Sequence, residues 1–244
     1  MARSPARRRA EADALASVTP IRWRDLRPAF LDAHEQGEHV AIIGPTGQGK
    51  TTLAYDLLDG MATRAGASVV CLVNKARDAA TVDLGWPVIE RWPPDYQTRV
   101  GRRVVLWPRY RGVRRPRANA GRFLDALDAF IAEGSWTVYV DEVPYFTEQL
   151  GLRRQLDEYW HTARSSHVTV VGSSQEVSWI PAPFKTQQSW LFCFRPRTQE
   201  VVKSVAEVCG DRDRFRPILG SLGHHEFLLV DSITEQAWVS KLGT

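Results

Sequence analysis

The chain has 244 residues, 43% hydrophobic and 25% charged, with a net charge of +4. That is long enough to bury a core without disulfides or metals. With a mean hydropathy of −0.30, no apolar run approaches the roughly 18 residues that span a bilayer, so no membrane insertion is expected. Glu11 and Asp13 interrupt the amino-terminal stretch too early for a secretory signal. Cys71, Cys193 and Cys209 are odd in number and lack short spacing, and His224-His225 is an adjacent pair. This usage excludes a disulfide frame and a zinc site, and points to reduced thiols in a cytoplasmic protein.

Positive charge is concentrated in two places. The first ten residues hold four Arg (3, 7, 8, 9) and no acid. Between Arg99 and Arg117 lie eight Arg (99, 102, 103, 109, 111, 114, 115, 117) and no acid. The remainder is net acidic. Clustered Arg is the footprint expected for phosphate-backbone contacts, although a solvated charged loop fits the second run equally well.

In chain order, residues 1–20 read as an unstructured basic arm. Residues 21–35 carry helical spacing through Leu26, Phe30 and Leu31. A buried strand follows at 39–43, then a helix over 50–61 with Leu53, Leu57 and Leu58 on one face, then an apolar strand at 68–73. This strand–loop–helix–strand unit begins a parallel sheet. Residues 104–107 read as a third strand. Gly112 and Pro116 make the Arg-rich segment a loop. Phe123, Leu127, Phe130 and Ile131 predict a helix; 136–140 predicts a strand, 147–164 a helix and 168–171 another strand. Strand 189–194, helix 199–209 and an apolar pair at 226–230 and 237–240, expected as a hairpin, complete the pattern. Strands alternating with helices imply an α/β fold, a mostly parallel central sheet flanked by helices, with ligands at the carboxyl ends of the strands.

Gly44-Pro45-Thr46-Gly47-Gln48-Gly49-Lys50-Thr51 fits G-x-x-x-x-G-K-[ST] in full, between a strand and a helix. The glycines let backbone N–H groups wrap phosphate oxygens, and the helix N-terminus favours their charge. Lys50 is expected on the β- and γ-phosphates and Thr51 on Mg²⁺; Thr52 joins the nucleotide-contacting set. Strand 136–140 ends in Asp141-Glu142. The Asp suits Mg²⁺ held through its hydration shell, and the Glu suits a general base for the attacking water. Gln175, just past a strand, is positioned to sense the γ-phosphate; an ordinary strand-end amide is the alternative. Arg164 is a candidate arginine finger acting on a neighbouring subunit, against a plain surface Arg, with Arg153 and Arg154 as fallbacks. Lys75 and Asp78 lie just past the second strand, without an assigned role.

These features resemble the FtsK/HerA superfamily of DNA-pumping ATPases, which includes viral genome-packaging ATPases. The likeness rests on the P-loop, on Asp141-Glu142, on the run A-R-S-S-H-V-T-V-V-G-S-S-Q at 163–175, and more loosely on L-G-H-H-E-F-L-L-V at 222–230. Glu176-Val177 after the Gln departs from the family's usual Arg-Pro. The resemblance implies a RecA-like P-loop NTPase core of the ASCE type and ATP with Mg²⁺ as cofactors. It also implies a hexameric or pentameric ring moving double-stranded DNA, with a portal or other docking protein as a possible partner. Lys50, Thr51, Asp141, Glu142, Gln175 and Arg164 take the roles given above. The expected organisation is a basic arm at 1–20 and one ATPase domain at 21–244, with an Arg-rich loop at about 99–117. Lacking the accessory domains of chromosomal translocases, this bare motor fits packaging of a phage-type genome or transfer of a mobile element. A nucleotide-controlled assembly or scaffold ATPase acting on a protein partner is the other reading. A small-molecule kinase is disfavoured by the acid pair.

Overall fold

The computed structural model describes residues 5–64, 67–94, 103–108, 119–175, 177 and 180–243. Nine helices and ten strands are formed by them: α1 (Pro5–Ala16), β1 (Thr19–Pro20), α2 (Trp23–Ala33), β2 (His39–Ile43), α3 (Lys50–Met61), β3 (Ser68–Leu72), α4 (Ala79–Asp83), β4 (Val88–Ile89), β5 (Arg103–Leu106), α5 (Ala120–Glu133), β6 (Trp136–Val140), α6 (Arg153–Thr162), β7 (Thr169–Ser174), α7 (Ala182–Thr186), β8 (Gln188–Phe194), α8 (Gln199–Val208), α9 (Arg212–Ser221), β9 (Glu226–Asp231) and β10 (Ala237–Lys241). No helix among these residues is long and apolar enough to cross a membrane.

All ten strands join one sheet, in the order β1-β10-β9-β8-β2-β7-β6-β3-β5-β4. From β8 to β4 every pairing is parallel; β9 and β10 then run antiparallel as a terminal hairpin. The central strands are apolar at nearly every position because both faces are covered. Alternate residues feed two separate cores. Ala41, Ile43, Val138 and Val140 pack with Phe123, Phe130 and Leu156 on one face. Val40, Ile42, Tyr139 and Phe192 pack with Leu53, Leu57 and Phe30 on the other. The sheet thus takes the expected α/β form, and β7 separates the P-loop strand β2 from the acid-pair strand β6.

The structure departs from the local reading at several places. A helix forms over Pro5–Ala16 in the arm expected to be unstructured. Its end is held by tertiary contacts invisible in local pattern: the Arg214 guanidinium donates to Ser17 Oγ (3.3 Å) and Ser17 O (3.4 Å), and Val18 is buried. The helix expected over 147–164 is broken. A π turn over Tyr145–Gln149 precedes Gly151 at φ 72°, α6 begins only at Arg153, and a 3-10 turn spans Ala163–Ser166. Helix α9, capped by Asp211 and carrying an internal Pro217, has no counterpart in the periodicity reading. The short β4 adds a further edge beside β5. Of the Arg-rich segment only Arg103 is described; Arg99, Arg102, Arg109, Arg111, Arg114, Arg115 and Arg117 lie outside the described residues.

Candidate nucleotide site at the carboxyl edge of the sheet

β2 feeds the P-loop without a break, since Gly44 N–H donates to Ser174 O of β7 (3.1 Å). Gly44 is demanded by its neighbour: a Cβ there would stand 2.6 Å from Phe194 Cβ. Gly49 is demanded twice over. Its φ is 98°, and a Cβ would meet Leu242 Cδ1 at 2.5 Å and His225 Nδ1 at 3.1 Å. α3 starts at Lys50 with no side-chain cap on its first turn. Its leading N–H groups therefore have no side-chain acceptor and point where an anion would sit. Lys50 Nζ folds back to donate to Pro45 O (3.2 Å). Burial lowers the Lys50 pKa, Glu142 and Asp141 oppose that, and Lys75 and Arg197 reinforce it. Thr51 is half-buried and Thr52 exposed in the same first turn.

Gly49→Ala is expected to weaken binding of AMPPCP, an ATP analogue that resists hydrolysis, by at least about tenfold. Left-handed strain of about 1–3 kcal/mol at a non-glycine residue adds to displacement of Leu242. Isothermal titration beside a thermal melt checks this; wild-type affinity would show that the loop tolerates a side chain there.

The acids come from the register of β6 on β7. Val140 lies opposite Gly172, so Asp141 and Ser173 follow as neighbours. Asp141 is 8% exposed. Its Oδ1 accepts from Tyr139 OH (3.0 Å) and Ser173 Oγ (3.3 Å), while Oδ2 is ion-paired with Lys75. Burial, then the Asp141 charge, push the Tyr139 phenol well above its ordinary value, so it stays a donor. Glu142 has φ 63°, a left-handed backbone unusual for Glu, and its N–H donates to Ser173 Oγ (3.1 Å). That strained turn swings its carboxylate toward the P-loop. There Gln175 Nε2 donates to Glu142 Oε2 (3.0 Å), and Thr46 Oγ1 donates to Gln175 Oε1 (2.8 Å). Loop, strand-end amide and acid are thereby linked in one chain of hydrogen bonds.

Among the described residues no group of three or more His, Cys, Asp or Glu is placed to hold a metal by itself. Thr51 and Asp141 supply hard oxygens beside the phosphate loop, with Asp141 Oδ2 facing a cation. That donor set fits Mg²⁺ bound jointly by protein, water and phosphate; it does not fit a fully protein-ligated ion.

Arg164 stands elsewhere. It belongs to the 3-10 turn before β7, and a Cβ on Gly37, ahead of β2, would lie 3.2 Å from Arg164 O. The six residues of β7, rising about 3.3 Å each, separate it from Gln175. Its side chain is exposed, at the amino edge of the sheet, and cannot serve the nucleotide on its own P-loop. Arg153 and Arg154 are exposed at the start of α6, with Arg153 paired to Glu148.

Five contributors escaped the sequence reading. Ser173 and Tyr139 orient Asp141, Ser173 through the register of β7 on β6 and Tyr139 from two residues earlier in β6. Lys75 pairs with Asp141 because β3 lies beside β6. Arg197 lines a cavity of about 140 Å³ with Gly44, Pro45 and Gln175. His225 clasps the loop, its N–H donating to Gln48 Oε1 (3.4 Å) and its ring Nδ1 lying 3.1 Å from Gln48 O.

No protein-family model matches the sequence, and no curated protein matches it either. Solved structures do match. The DNA-packaging ATPase B204 from Sulfolobus Turreted Icosahedral Virus superposes with a TM-score of 0.61 at 15% identity, covering 85% of this chain and 98% of that one. The fold is that of a P-loop NTPase. VirB4 of Thermoanaerobacter pseudethanolicus gives a TM-score of 0.64 at 10% identity, with 84% and 89% covered. The cytoplasmic domain of the type VII secretion ATPase EccC from Thermomonospora curvata gives 0.59 at 16%, with 85% of this chain and 25% of that one covered. A B204 from Sulfolobus turreted icosahedral virus 2, at 14% identity and a TM-score of 0.62, was solved with AMPPCP. These likenesses of fold cover 84–85% of this chain.

Proposed function

We propose that this protein is an ATP-driven translocase of double-stranded DNA, packaging a phage-type genome or transferring mobile-element DNA. The observation that carries the reading is the hydrogen-bonded chain Thr46–Gln175–Glu142 beside buried Asp141. It joins a phosphate-binding loop to a carboxylate able to take a proton from water. Backbone N–H groups of the loop and Lys50 hold the phosphates. Mg²⁺, bound by Thr51 and Asp141, would neutralise charge on the β- and γ-phosphates. Glu142 accepts a proton from water while the water oxygen bonds to the γ-phosphorus, and the bond to the β-phosphate oxygen breaks. Gln175 orients that water through its bond to Glu142. Arg164, far from its own loop and exposed, is suited to stabilise charge on a neighbour's nucleotide, which requires a ring or other homo-oligomer. The Arg-rich segment at 99–117 and the amino-terminal arm are the proposed DNA contacts.

Steady-state ATP hydrolysis with and without linear double-stranded DNA, beside Lys50→Ala, tests this. Stimulation by DNA that weakens steeply with salt and disappears in Lys50→Ala is expected. Hydrolysis indifferent to DNA at low salt would remove the translocase reading. It would favour the nucleotide-controlled ATPase acting on a protein partner, a reading to which the likeness to the secretion ATPase EccC lends support.

A further inference from the structure

Lys75 sits three residues beyond the end of β3, just past Val73, which still bonds the neighbouring strand (Val73 N–H to Leu106 O, 3.0 Å). Its ammonium lies between two carboxylates. One is Asp141, whose side chain is 7% exposed; the other is Asp78, whose side chain is 10% exposed and whose Oδ2 is 3.0 Å from Lys75 Nζ. Asp78 is itself fixed, because its Oδ1 caps α4 by accepting from Thr81 N–H (3.4 Å). The Lys75 carbonyl is pinned as well, accepting from Trp107 Nε1 (2.8 Å). On Asp141, Oδ1 is already engaged by Tyr139 and Ser173. Oδ2, the oxygen left for a cation, is the one that Lys75 contacts.

An ammonium and a hydrated divalent ion cannot both draw fully on that one oxygen. Two cations sharing a carboxylate repel each other, strongly where water is scarce. Lys75 has a second carboxylate at hand, so leaving Asp141 does not strand its charge. We propose that Lys75 is a positioning residue that competes with the metal ion for Asp141 and retreats onto Asp78 when the metal–nucleotide complex binds. The device rests on the reading of Asp141 as the metal-holding carboxylate. It sets how much metal the site needs, and it makes Lys75 responsive to whether a charged complex is seated.

The test is binding of Mn²⁺ to the full chain in the presence of AMPPCP, followed by electron paramagnetic resonance. Lys75→Met keeps the aliphatic stem and removes the competitor. It should tighten Mn²⁺ binding about three- to tenfold, the range for a partly exposed ion pair. Loss of a merely structural lysine would loosen the site instead, so the sign decides. Lys75→Arg should stay near wild type. Asp78→Asn keeps the α4 cap, since Asn caps as well as Asp, but removes the alternative partner. It should weaken Mn²⁺ binding about two- to fivefold. Unchanged or weaker binding in a folded Lys75→Met overturns the competition; should that variant melt early, an unchanged Asp78→Asn does so. Asp141→Asn separates the two layers. If it binds Mn²⁺ with AMPPCP like wild type, the metal reading itself fails. If it loses binding while Lys75→Met leaves affinity unaltered, only the role of Lys75 fails.

Discussion

Glu142→Gln is expected to lower ATP turnover by about 10²–10⁴-fold, the usual contribution of a positioned general base, while AMPPCP affinity stays near wild type. The change is isosteric and leaves the surroundings able to hold the side chain. The backbone at φ 63° is fixed by the Glu142 N–H to Ser173 Oγ bond, which does not involve the carboxylate. A Gln at this position still offers an oxygen to Gln175 Nε2, so the link through Thr46 survives. What is lost is the capacity to take up a proton. Quenched-flow measurement of a single turnover isolates the chemical step from product release. A burst like that of wild type, followed by slow steady state, would place Glu142 in release. A single-turnover rate that hardly falls would move the base elsewhere and leave Glu142 as the anchor for Gln175. Arg197, beside Gly44 and Gln175, does not replace it in either case, because a guanidinium does not accept a proton.

The contrast between what was legible in the chain and what was not follows the range of the interactions. The P-loop is local. Eight successive residues carry the backbone geometry, and the flanking strand and helix announce themselves by apolar run and period. Asp141 and Glu142 are legible for the same reason, as acids terminating a buried strand. Gln175 required only the recognition of β7. The neighbours that tune these residues come from other strands, through register. Ser173 meets Asp141 because Val140 pairs with Gly172, and no one-dimensional spacing between 141 and 173 encodes that. Lys75 had no role assignable from the sequence and proves to be ion-paired to the buried acid, because β3 is inserted beside β6. The clasp on Gly49 by His225 and Leu242 needs the terminal hairpin to fold back along the sheet, where Leu242 N–H donates to His225 O (3.1 Å). Helix α1 escaped for a related reason, as its anchoring partner Arg214 is almost two hundred residues away in sequence. Local pattern announces the elements and the loop, whereas sheet order assembles the electrostatics.

Arg164→Ala is expected to reduce turnover by about 10³-fold, the lower end of the range for arginine fingers, without altering nucleotide affinity. The geometry permits no intermediate outcome through the subunit's own nucleotide. Arg164 precedes β7, the six residues of that strand intervene, and the P-loop lies past the other end. A contribution in cis would have to be structural. Arg164 does touch structure there, its carbonyl oxygen accepting from His167 N–H (3.0 Å), but Ala retains that carbonyl. Mixing separates the remaining cases. Lys50→Ala subunits cannot hold nucleotide yet carry an intact Arg164; Arg164→Ala subunits hold nucleotide yet lack the finger. Neither alone should hydrolyse ATP. Combined, they form interfaces in which a Lys50→Ala subunit presents Arg164 to its neighbour's nucleotide, so activity should reappear and should depend on the mixing ratio. Two inactive proteins that stay inactive when co-assembled would show that Arg164 does not act across subunits. Full activity in Arg164→Ala alone would shift the trans role to Arg153 or Arg154 at the start of α6. Recovery on mixing would do more than assign one residue. Since Arg164 and Gln175 bracket the same strand, it would make β7 the element that joins one subunit's interface to its own γ-phosphate sensor.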